Sequence, residues 1–132
     1  PRCSGPIQAS QRVVTLPGKR YLGLLGFDPR YEELARDTSP VPDVTIRMSA
    51  LKVGPVVFAG SSGEIFSEIG MEFKKRTPYR WTLFMGLCNG YSGYVLSDRE
   101  ISRGGYEYNA TVIKSGGQAA VINTLLELVS EF

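Results

Sequence analysis

Three short segments of this 132-residue chain combine glycines with carboxylate, hydroxyl or phenol side chains. They are Gly60-Ser61-Ser62-Gly63-Glu64, Asn89-Gly90-Tyr91-Ser92-Gly93-Tyr94 and Gly104-Gly105-Tyr106-Glu107. Glycine lets backbone approach a ligand closely. A carboxylate beside such a loop can ligate a metal or take a proton, and a phenol can donate a hydrogen bond to a developing oxyanion. Each group also has an ordinary structural role open to it. Ser61-x-x-Glu64 has the spacing of a helix capping box, and a carboxylate in a first helical turn is stabilised by the helix dipole. Tyr91, Tyr94, Tyr106 and Tyr108 could each be a rim tyrosine with a bonded hydroxyl. Their concentration in short segments beside glycines sets them apart from that role.

What the chain lacks narrows the chemistry. Histidine is absent, which removes Ser-His and Cys-His nucleophiles, the usual imidazole acid or base and the commonest zinc ligand. The segments at Ser62 and Ser92 each miss the GxSxG spacing by a residue, and no GxGxxG or Walker pattern occurs. Chemistry by this chain alone would therefore fall to carboxylate, phenol and lysine. The cysteines, Cys3 and Cys88, form neither a zinc knuckle nor a disulfide framework. Cys88 lies in the apolar run 81–88 and reads as a small buried side chain, with pairing to Cys3 left open. Asn109-Ala110-Thr111 fits a glycosylation sequon, but its place just beyond Tyr106-Glu107 argues against an exposed glycan.

The elements that must position these groups follow from composition and periodicity. At 42% hydrophobic and 21% charged residues, the chain reads as one ordinary globular domain with a core. A net charge of +2 is too small to argue for nucleic acid, and the cluster Lys74-Lys75-Arg76 suits a helix C-terminus. No window approaches the roughly 18 apolar residues of a transmembrane segment, and the start does not read as a signal peptide. The chain does not begin with methionine, so a processed end or a piece of a longer chain is expected.

Residues 1–10 read as a mobile arm and 12–16 as a short strand closed by Pro17-Gly18. A short helix is expected over 30–37, with Asp28 as its cap. The prolines of 38–43 make an extended connector. Residues 44–53 alternate as a strand with Val44, Ile46, Met48 and Ala50 on one face, and 56–59 complete a hairpin. Residues 64–76 read as a helix with Ile65, Phe66, Ile69 and Phe73 on its apolar face. Residues 81–87 read as the next buried strand. Strand, helix, strand implies a crossover with parallel strands, so the first two glycine segments should open at the same sheet edge. Further on, Ser97 and Glu100 form a capping box, 106–113 alternate in part, and Ser115 and Gln118 resemble a box opening a terminal helix to 132. The fold class is α/β, a mixed sheet with flanking helices, a strand-helix-strand crossover unit and a terminal helix.

Taken in order, Gly63-Glu64, Asn89 to Tyr94, Gly105-Tyr106-Glu107 and Thr111 resemble the C-terminal part of the catalytic domain of the neutral/alkaline (non-lysosomal) ceramidase family. Tyr106 follows Tyr94 at the family's separation of 12 residues, and the resemblance is firmest over the site-bearing segment 44–113. It implies part of a larger catalytic domain of a zinc amidase, which cleaves N-acyl sphingosine to fatty acid and sphingosine. It implies that Glu64 and Tyr94 are zinc ligands, and that Tyr106 donates a hydrogen bond to the carbonyl oxygen as it becomes an oxyanion. The family is often secreted or membrane-facing.

The family's zinc site also draws two histidines from an earlier part of the domain, and this chain has none. Two readings follow. The chain is the downstream portion of a longer enzyme whose partner is the upstream, histidine-bearing part, or it is a homologue without the metal that serves as an interaction domain. Retention of Glu64, Tyr94 and Tyr106 favours the first. The segment 76–80 is shorter than in the ceramidases, which leaves a smaller amide open as substrate. Apolar surface left by a missing half predicts association with itself or a companion chain.

Overall fold

The computed structural model describes residues 4–22 and 29–132; Cys3 and Asp28 lie outside that set. In chain order the elements are strand β1 (Ile7–Leu16), helix α1 (Tyr31–Arg36), strands β2 (Val44–Val53), β3 (Val56–Ser61) and β4 (Glu64–Ile65), and helix α2 (Ser67–Arg76). Strands β5 (Trp81–Met85) and β6 (Tyr94–Val95) and helices α3 (Asp98–Arg103), α4 (Tyr106–Ala110) and α5 (Gly117–Ser130) follow. The main sheet has the order β1-β2-β3-β5, while β4 and β6 form a separate two-stranded ladder. β1, β2 and β3 pair antiparallel, and β3 and β5 pair parallel, as a crossover through α2 requires. The fold is α/β with a mixed sheet and flanking helices, as the sequence implies.

One face of the sheet carries the core. The alternation in β2 buries Ile46, Met48 and Ala50, and Val57 and Ala59 of β3 join them. Ile69 and Phe73 of α2 and Val121, Leu125, Leu128 and Val129 of α5 close over these side chains. Burying each of the larger ones contributes roughly 1.5–3 kcal/mol. The Phe73 and Phe84 rings meet at 6.0 Å between centroids, which locks α2 onto β5. At the other edge, Arg12 pairs with Glu127 and Glu131, and Ser10 donates to Glu131, so β1 is tied to α5.

Tertiary pairing overrides local signals in several places. Residues 7–10 are not a mobile arm: β1 begins at Ile7, because its backbone pairs along all of β2, from Ile7 against Val53 to Leu16 against Val44. Helix α1 begins at Tyr31 with Arg30 in the cap position and no side-chain cap. The helix expected from Glu64 starts only at Ser67, with Phe66 as the cap residue. Residues 106–110 form one helical turn instead of an alternating segment. Gly116, in the left-handed region at φ +79, precedes α5, and Ser115 makes no cap there. Gln118 instead accepts a hydrogen bond at 2.9 Å from the Asp98 backbone, and so tethers the start of α3. The Ser97 cap of α3 is present, its hydroxyl accepting from the Glu100 amide.

Strand β5 is shorter than the apolar run that forms it, and it is not buried on both faces. It is a sheet edge, and Trp81, Leu83 and Met85 point outward and are exposed.

Candidate active site on the β4–β6 ladder

Glu64 stands on β4 directly beside Tyr94 on β6, in a parallel register that also pairs Ile65 with Val95. The Glu64 amide donates to the Gly93 carbonyl at 2.9 Å, and the Phe66 amide to the Val95 carbonyl at 3.2 Å. This ladder is what removes Glu64–Phe66 from the helix. It depends on glycine at position 63, since a Cβ there would lie 2.7 Å from Val95 Cγ2 and 3.1 Å from the Gly93 carbonyl. Glu64 is thus outside any first helical turn, and its capping-box role falls away. Its carboxylate is left for other work.

Tyr94 is half-buried, and its ring meets that of Tyr106 edge-on at 6.0 Å between centroids and 77° between planes. Partial burial, a hydrogen bond with Tyr106 and then the nearby Glu64 charge push the Tyr94 phenol up to about 12. Its backbone carbonyl accepts a 2.7 Å hydrogen bond from the Thr111 hydroxyl. Tyr106 reaches this point from the start of α4, after Gly104 and Gly105 at φ +72 and +105. Half of the Tyr106 surface is exposed. Tyr91 belongs to the same cluster. Desolvation raises its phenol pKa first, followed by the charge of Glu64 and a hydrogen bond to that carboxylate. The structure therefore brings Glu64, Tyr94 and Tyr106 together and adds Tyr91.

The loop that carries Tyr91 and Tyr94 is held by its serines. The Leu87 and Cys88 amides donate to the Gly63 and Ser61 carbonyls, and the Ser92 amide to the Ser62 carbonyl. Ser62 Oγ accepts from the Arg47 amide at 3.0 Å and lies 2.7 Å from Ser92 Oγ, which in turn donates to the Thr45 carbonyl at 2.9 Å. Each serine donates once and accepts once, so the clasp is saturated. In the sequence these serines resemble only an incomplete nucleophile motif, and nothing local signals their pairing across 30 positions. Asn109 is buried and donates to the Gly105 carbonyl at 2.9 Å, so the sequon is closed to a glycan. Cys88 is half-buried and has no disulfide partner among the described residues.

Among the described residues, no three His, Cys, Asp or Glu side chains gather as a metal site. Glu64 and Tyr94 offer a carboxylate and a phenol from neighbouring strands. A carboxylate oxygen is a donor that zinc accepts.

No family model matches the chain, and no curated protein sequence does. Solved structures do match. The crystal structure of neutral ceramidase from Pseudomonas aeruginosa superposes with a TM-score of 0.68 at 18% identity, over 95% of this chain and 28% of that one. A ceramidase complexed with C2 matches with a TM-score of 0.57, also at 18% identity, over 79% of this chain and 19% of that one. This chain has the fold of one part of a neutral ceramidase. It spans less than a third of the length of either structure.

Proposed function

We propose that this chain is the downstream portion of a zinc-dependent amide hydrolase of ceramidase type, in which Glu64 and Tyr94 hold the metal and Tyr106 acts on the substrate carbonyl. The observation that carries the reading is the in-register pairing of Glu64 with Tyr94, with Tyr106 against the Tyr94 ring, in a fold shared with neutral ceramidase. A zinc ion held there would lower the pKa of its water towards neutrality and polarise an amide carbonyl.

The chain's own residues would do the rest. Glu64 supplies a negative oxygen donor on a rigid ladder. Tyr94 supplies the second oxygen, its orientation held by Thr111 through the backbone and by the Tyr106 ring. Tyr106 donates a hydrogen bond from its phenol to the oxyanion, a contact worth roughly 3 kcal/mol of transition-state stabilisation. The remaining two ligands are histidines from the upstream part of the domain, since this chain contains none. The substrate class is an N-acyl sphingosine or a smaller amide. The absence of histidine also supports a second reading, a non-catalytic interaction domain of the same fold.

The test extends this chain upstream by its native coding sequence and measures bound zinc together with hydrolysis of an N-acyl sphingosine. About one zinc per chain, with hydrolysis abolished by Tyr106→Phe, is the expected result. Zinc without hydrolysis discards the substrate, and neither zinc nor hydrolysis leaves the interaction domain.

A further inference from the structure

The outer face of the main sheet, opposite α2 and α5, breaks the usual pattern of a sheet that faces water. In such a sheet, side chains alternate between apolar inward and polar outward. Strand β5 is apolar on both sides: Phe84 faces inward with Thr82, while Trp81, Leu83 and Met85 face outward and are 56%, 47% and 38% exposed. The register sets Phe58 of β3 beside Leu83, and Leu51 of β2 beside Phe58. On β1, Ile7 and Val13 continue the same face and are exposed. The only charge at an outward position of the four strands is Arg47, at the end next to the candidate site. A groove of about 580 Å³ crosses this face, with Leu51, Phe58 and Met85 in its floor and Cys88 and Asn89 at its end.

We infer that this face is the docking surface for the histidine-bearing remainder of a longer catalytic domain, an inference that rests on the function proposed above. Two observations select that occupant. This fold makes up 28% and 19% of the two ceramidase chains, so in both it lies within a much larger polypeptide. The face is also continuous with the site. Strand β5 runs from Met85 into the loop of Tyr91 and Tyr94, and Asn89 at the groove's end bonds Ser49 and accepts from Arg47. A polypeptide layer laid on Leu51, Phe58 and Leu83 ends beside Asn89, where added side chains reach the ladder of Glu64 and Tyr94. The contiguous apolar surface is of the kind that marks a protein contact, and its lack of charge matches an apolar partner face.

Hydroxyl-radical footprinting of the 132-residue chain and of the protein at full natural length tests this. Trp81, Leu83 and Met85 should be modified readily in the first and roughly tenfold more slowly in the second, as befits burial. Leu51→Lys with Leu83→Lys should leave the 132-residue chain folded by circular dichroism and abolish that protection at full length. The readout needs no metal. A covered face without zinc upholds the docking and sinks the proposed function; bound zinc with the face still exposed does the opposite. A natural product no longer than this chain overturns the inference. So does protection of the 132-residue chain by a second copy in sedimentation, or by phosphatidylcholine vesicles.

Discussion

Glu64 and Tyr94 are direct partners across a two-residue parallel ladder, and their side chains leave the same side of it. Thirty positions apart in sequence, the carboxylate and the phenol are neighbours because Gly63 lets β4 close against Val95 and the Gly93 carbonyl. The arrangement ties a functional reading of Glu64 to a structural one that can be separated from it.

Glu64→Ala should leave thermal stability within about 0.5 kcal/mol of the parent, as a surface change outside a cap does. A capping carboxylate would cost about 1 kcal/mol when lost. On the function proposed above, the same variant of the protein extended upstream should lose metal. Calorimetry and metal analysis read the two effects independently; a cap-sized loss with unchanged zinc removes Glu64 from the ligand set.

The Tyr94 phenol gives a pH signature. Its folded pKa of about 12 stands above the ordinary 10.0, so the folded state favours the protonated form. That contribution to stability is complete below pH 10 and is lost as pH rises through 12. Carbon NMR of labelled tyrosine should show one resonance titrating near 12 that disappears in Tyr94→Phe. Removing the Glu64 charge should move that transition downward. A Tyr94 transition at 10 contradicts the cluster.

Gly63→Ala should destabilise the fold by about 1–3 kcal/mol, as overpacking does. The added methyl group meets Val95 Cγ2 at 2.7 Å, and Val95 is fully buried. Urea unfolding measures the loss. An unchanged midpoint would mean that the ladder is not closed as described.

Ser92→Ala removes the acceptor of Ser62 and the donor to the Thr45 carbonyl. Leaving the part-buried Ser62 hydroxyl without its partner costs about 1–3 kcal/mol. Amide exchange at Tyr91 and Ser92 should quicken while the β2–β3 hairpin keeps its protection. Uniform exchange across the chain would show that the clasp does not hold this loop separately.

Much of the architecture is written in local pattern. Period-two alternation in Val44–Val53 places Ile46, Met48 and Ala50 inward, and the helical spacing of Val121, Leu125 and Leu128 seats α5 against them. Glycine, proline and β-branched residues mark the β2–β3 hairpin and the crossover, and the Ser97 hydroxyl starts α3 because its spacing to Glu100 is a local matter. The residue types in the three glycine segments were equally legible, and with them the absence of any histidine.

Only the tertiary structure decided what those segments do to one another. Ser61-x-x-Glu64 and Ser115-x-x-Gln118 have cap spacing, yet Glu64 is drawn into a ladder with Tyr94, and Gln118 caps a different helix. The pairing of Ser62 with Ser92, the edge-on contact of Tyr106 with Tyr94 and the outward turn of Trp81, Leu83 and Met85 follow from contacts between distant segments. Local signals are worth about 1 kcal/mol each, while buried side chains and closed ladders contribute more, so the packed arrangement prevails where the two conflict.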